Sequence, residues 1–153
     1  MSPDFLDLLR EFASAEVRSL VVGGYAVGAH GHPRATKDLD VWVDASPDNA
    51  PRVIAALRAF GAPLMGLSVA DLSAPGKGLI IGVPPMRIDI ITAIDGITFE
   101  QAWPHRVLLR LDTVETYVIG RDDLLTNKRA SGRAQDLADV EALERETDAQ
   151  DQD

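Results

Sequence analysis

The chain has 153 residues, with 24 acidic against 15 basic side chains and a formal charge of −9. An acidic balance of this size argues against a non-specific nucleic-acid binder, which would be basic. With 46% apolar residues the chain can bury one sizeable core, and with no cysteine it excludes disulfides, thiolate metal sites and a cysteine nucleophile.

The opening "SPDFLDLLREFASAEV" predicts a helix: Ser2 is placed to N-cap, Pro3 suits the first helical position, and Phe5, Leu8, Leu9 and Phe12 share one face. Its early acids lack the pattern of a signal peptide, and no apolar run is long enough to span a bilayer, so a cytoplasmic protein with no membrane partner is expected. "SLVVGG" (19–24) reads as a buried strand stopped by two glycines, and "YAVGAHG" (25–31) as a short helix stopped at Gly31. "LDVWV" (39–43) is a second strand.

"SPDNAPRVIAALRAFG" (46–61) repeats the Ser-Pro start, with Val53, Leu57 and Phe60 on an inner face and Gly61 at the stop. "GLIIGV" (78–83) and "MRIDIIT" (86–92) flank Pro84-Pro85 as two strands in tight connection. "TFEQAW" (98–103) predicts one or two helical turns. "HRVLLRL" (105–111) and "VETYVIG" (114–120) predict a strand pair around Asp112-Thr113. From residue 121 to 147 the pattern is helical, broken near Ser131-Gly132. Adjacent strands late in the chain are incompatible with a regular βαβ array. The expected fold is therefore α/β of the mixed, α+β kind: a mixed central sheet with helices mainly on one face. One domain spans residues 1–147, followed by an acidic frayed tail at 148–153.

The chemistry concentrates in three acids. Asp38 and Asp40 are two apart at a strand start, so they face the same way while Leu39 and Val41 face the core. Two like charges side by side repel, and burial sharpens the cost. Three outcomes are open: both stay wet, basic partners such as Arg34, Lys37 or Arg87 pair with them, or they hold a hard cation, of which magnesium fits best. Asp89 is a lone acid among Ile88, Ile90 and Ile91. If its strand lies beside the first, three carboxylates converge as in a two-metal site, with ions roughly 3.5–4 Å apart. Gly23-Gly24, between a strand and a helix, would let a phosphate approach the backbone.

The combination Gly23-Gly24, Asp38-Leu39-Asp40-Val41 and Asp89 resembles the DNA polymerase beta-type nucleotidyltransferase superfamily. The wider string "GGYAVGAHGHPRATKDLDVWV", with "RIDIIT", "NKRASGR" and "DLADVEAL", resembles its small bacterial branch related to abortive-infection toxin nucleotidyltransferases. The resemblance runs from about residue 19 to 144 and implies a nucleotidyltransferase-like fold.

It also implies a Mg²⁺-dependent enzyme with two ions, Mn²⁺ being an alternative, that moves a nucleoside monophosphate from an NTP to a hydroxyl and releases pyrophosphate. Gly23 and Gly24 would hold the triphosphate. Asp38, Asp40 and Asp89 would bind metal, Asp89 also acting as base. Arg34 and Thr36 match an Arg-x-Thr that contacts phosphates or fixes its loop. Lys128 and Asp136 match a late Lys and Asp near the nucleotide, whereas Gln135 stands where the branch is expected to carry Lys. The acceptor is an RNA 3′ end, a protein or a small molecule, and a cognate partner protein of toxin–antitoxin type is a further expectation. The alternatives are a catalytically silent nucleotide- or partner-binding fold-mate and a metal-dependent phosphohydrolase.

Other signals carry less. His30 and His32 lack further ligands at metal spacing, and His105 reads as structural or exposed. "PGKG" (75–78) is a turn without the full phosphate-loop spacing. Trp42 and Trp103 read as core residues, Asp122 and Asp123 as acids at a helix start, and Asp139 as a solvated helix acid.

Overall fold

The computed structural model describes residues 2–32, 38–82 and 87–151, with the backbone alone from residue 146 onward. Arg34, Thr36 and the Pro84-Pro85 connection lie outside the described residues. In chain order the elements are α1 (Pro3–Ser14), β1 (Ser19–Val22), α2 (Gly23–Ala29), β2 (Leu39–Val43), α3 (Ala50–Phe60), α4 (Val69–Leu72), β3 (Gly78–Ile81), β4 (Ile88–Ile91), α5 (Phe99–Ala102), β5 (Val107–Leu111), β6 (Val114–Val118), α6 (Arg121–Ser131) and α7 (Ala134–Asp151). A 3₁₀ turn at Trp103–His105 follows α5.

Local chemistry explains most boundaries. The Ser2 hydroxyl accepts from Asp4 N at 3.3 Å, and Phe5, Leu8, Leu9 and Phe12 are buried as the spacing requires. α3 starts at Ala50, later than Ser46-Pro47 predicts. Ser46 instead accepts from Asn49 N, and Asn49 is buried with its amide bonded to Arg18 N, Arg18 O and Asp44 O. Those bonds hold Asn49 ahead of the helix and leave Pro51 in its first turn. Gly61 ends α3 at φ 91°, a left-handed conformation that favours glycine. Reciprocal side-chain caps, Ser68 with Asp71 and Thr98 with Gln101, start the short α4 and α5. α7 continues through Asp151, into the acidic segment.

Among the described residues the six strands form one mixed sheet in the order β3-β4-β2-β1-β6-β5. β1 runs antiparallel to β2 and parallel to β6, while β2 runs parallel to β4. All four residues of β1 are buried, so the sheet centre is covered on both faces. Leu39, Val41 and Val43 of β2 are fully buried on the face opposite Asp40. Trp42 shares the face of Asp40 and packs edge-on against Phe99 of α5, which stacks on Trp103. The aromatic residues seal that face along the strand and leave the acids at its open end. No described helix is long and apolar enough to cross a membrane.

Candidate active site

The registers of β2 with β4 and β1 build the site. Asp40 lies directly opposite Asp89, and Leu39 opposite Ile88. Continuing the same alternation, Asp38 faces Arg87, with Leu39 N donating to Arg87 O at 2.9 Å. An Asp-x-Asp therefore runs beside an Arg-x-Asp. The three predicted acids come together on the wall of a cleft of ≈ 400 Å³, which Gly23, Lys128 and Asp136 also line.

The three do not stand as equals. Asp40 and Asp89 form a close pair. Arg87 occupies the space beside it, with Nε 2.9 Å from Asp89 Oδ1, Nη2 donating to Asp89 Oδ2 at 3.1 Å, and the same Nη2 3.6 Å from Asp38 Oδ2. The basic partner left open by the sequence is thus present at Arg87. Among the described residues, no three His, Cys, Asp or Glu side chains are drawn into a ready cation-holding group. Asp89 Oδ1 is buried and, despite its nearness to Arg87 Nε, accepts no hydrogen bond.

Asp40 carries the electrostatic consequence. Burial comes first, followed by the charge of Asp89, a hydrogen bond with Asp89 and the charge of Asp38; together they push its carboxyl up to about 6, with Arg87 opposing. At neutral pH a carboxylate beside a carboxylate is costly, and a proton or a cation relieves it.

Gly23 is required by geometry. Val22 pairs with Asp40, so the next residue passes over the Asp40 side chain. Its φ is +69°, and a Cβ there would run into Asp40 Oδ2 and lie 3.1 Å from Asp40 Cγ. That freedom lets β1 turn directly into α2 without a loop residue. Gly24 is buried in the first turn of α2.

Lys128 and Asp136 line the cleft but are committed to each other. The Lys128 ammonium is buried, 3.4 Å from Asp136 Oδ1 and 3.0 Å from Asp139 Oδ2. Asp139 is therefore not the solvated helix acid its sequence suggests. It is 1% exposed, on a stripe of α7 with Asp136, Val140 and Leu143 that packs inward, and Lys128 compensates its burial. Gln135 supports it, donating to Asp139 Oδ1 at 3.0 Å. Burial pushes the Asp136 carboxyl up, but hydrogen bonds from Arg133 and the charge of Lys128 outweigh it and hold the group below the usual range. Arg133 donates from Nε to Asp136 Oδ2 at 2.7 Å, while most of its side chain is exposed at the cleft.

Sequence reasoning missed the role of Asp95 and Arg133. Asp95 enters the cleft wall because α6 grips it: Asn127 Nδ2 donates to its carbonyl and Ser131 Oγ to its carboxylate. Neither residue has a local pattern that marks it. Among the discounted signals, His30 bonds Ile119 O through Nε2, tying α2 to the end of β6, and His105 meets Asp123. Lys77 sits in a turn held by Thr92.

Sheet order and the arrangement of β1, α2, β2 and β4 define a nucleotidyltransferase-like fold. Among solved structures, the chain is similar to a Thermotoga maritima protein described as a "putative nucleotidyltransferase". The TM-score is 0.55 at 12% identity, covering 97% of this chain and 96% of that one. No family model matches the sequence. No curated protein matches it either.

Proposed function

We infer that this protein is a cation-dependent nucleotidyltransferase that moves a nucleoside monophosphate from an NTP to an acceptor hydroxyl. The observation that carries the reading is the register of β2 on β4, which sets Asp40 beside Asp89 at the cleft where Gly23 ends β1. The likeness in fold at near-complete coverage supports it.

A divalent cation fits the residues present. The acids offer only oxygen donors, the buried Asp89 Oδ1 lacks a hydrogen bond, and Asp40 gains from any added positive charge. Asp38, Asp40 and Asp89 would hold Mg²⁺, as two ions, or Mn²⁺ in its place. When bound, the ions would neutralise the triphosphate and the departing pyrophosphate. Asp89 would take the proton of the acceptor hydroxyl as its oxygen forms the new bond to the α-phosphorus and the bond to pyrophosphate breaks. Gly23 and Gly24, with Arg34 and Thr36, would border the phosphates. Lys128 and Asp136 would form the buried wall that presents Arg133 to them.

Incubation with each α-labelled NTP, Mg²⁺ and cell extract tests the reading. Label should pass to an acceptor with release of pyrophosphate, and Asp89→Asn should abolish it. Release of inorganic phosphate would point to a phosphohydrolase. Nucleotide binding without transfer would point to a silent fold-mate.

A further inference from the structure

We propose that Arg87 is a built-in counter-ion that occupies the cation's place between Asp38 and Asp89, so that a divalent cation binds only by displacing it. The proposal rests on the cation-dependent reading above and assigns a function to a residue outside its acids.

The argument is geometric. Arg87 stands immediately before β4, two residues ahead of Asp89, so by strand alternation both side chains leave the sheet on one face. The register then sets four groups in a square, Asp38 across from Arg87 and Asp40 across from Asp89. One guanidinium nitrogen, Nη2, approaches both Asp89 Oδ2 and Asp38 Oδ2, on two of the carboxylates that would hold the cation. Nε takes the second Asp89 oxygen without making a hydrogen bond to it. The fork itself, Nε and Nη2, spans both oxygens of Asp89, a two-point grip that the single ammonium of a lysine lacks. About a third of the Arg87 side chain is exposed, which leaves it a path out.

Two consequences follow. Without a cation, Arg87 keeps three like charges from driving the strand ends apart. With one, it is a competitor whose release is subtracted from the cation's affinity. The other cleft cations among the described residues are placed differently: Lys128 is buried on Asp136 and Asp139, and Arg133 is anchored to Asp136.

The test is calorimetric titration of the full-length protein with Mn²⁺ alone and with Mg²⁺ alone, comparing wild type, Arg87→Gln, Arg87→Lys, Arg133→Gln and Asp40→Asn. Arg87→Gln should bind about tenfold more tightly, the scale of a lost charge-assisted contact. Arg87→Lys, which keeps the charge but loses the fork, should tighten less and serves if the glutamine variant folds poorly. Arg133→Gln should change affinity by less than about twofold. Melting without cation should be lower for Arg87→Gln than for wild type, with the gap closed at saturating Mn²⁺. Unchanged or weaker binding by both Arg87 variants overturns the proposal, as does an equal gain from Arg133→Gln. If wild type binds cation and Asp40→Asn loses it while Arg87→Gln is unaltered, this proposal alone falls. If neither wild type nor Arg87→Gln binds either cation, the transfer reading falls and takes this proposal with it.

Discussion

Asp40→Asn should stabilise the cation-free protein at neutral pH while destroying its response to cation. In the folded protein the Asp40 carboxyl is raised to about 6 from an ordinary 3.8. Between those values the folded state holds a proton that the unfolded chain has released. This group's contribution is therefore full below pH 4, falls as pH rises toward 6, and stays low above. A gap of about two pH units corresponds to about 3 kcal/mol at most. Asparagine keeps the shape, carries no charge, and can still donate to Asp89. At pH 7–8 the variant should gain about 1–3 kcal/mol, or about 2–4 °C in Tm per kcal/mol for a chain of this size. Near pH 4 the two proteins should melt together. The assay is differential scanning calorimetry in chelator from pH 4 to 8, read as the difference in Tm, so that titrations common to both cancel. Added Mg²⁺ should raise the wild-type Tm and leave the variant unmoved. A variant less stable than wild type at pH 8, or a difference that does not change with pH, would refute the electrostatic account of the site.

Gly23→Ala should be destabilised by about 1–2 kcal/mol through its left-handed backbone alone, with the contact against Asp40 adding to this. The double variant Gly23→Ala/Asp40→Ala should recover part of the loss in urea unfolding, and strictly additive effects would contradict the close approach. Lys128→Met should lose about 3–5 kcal/mol, because Asp136 and Asp139 would remain buried without their shared ammonium. Adding Asp139→Asn should restore part of that stability; a Lys128→Met protein as stable as wild type would show that the cluster is not a structural tie.

The i, i+2 spacing of Asp38 and Asp40 and the isolation of Asp89 among isoleucines were legible because strand alternation is a local rule and buried acids violate composition. The Ser2-Pro3 helix start was legible for the same reason: the capping hydroxyl and the Asp4 N–H that donates to it lie two residues apart. The start of α3 was not, because the bonds that hold Asn49 outside the helix include two to the Arg18 backbone, just ahead of β1 and 31 residues away. Asp139 looked solvated because it is one of several acids along a charged helix, whereas its burial depends on Lys128 from another helix.

The sequence by itself determined which side of β2 carries charge, where α1 begins, and that three acids needed a reason to exist. Only the tertiary structure decided that Asp40 stands opposite Asp89, that Gly23 must yield room to Asp40, and that Arg87 fills the gap to Asp38. The physical reason is the range of the forces involved. Periodicity and capping act within a turn or two of chain. Register between β2 and β4 couples residues about fifty positions apart, through backbone hydrogen bonds and packing that no local pattern encodes.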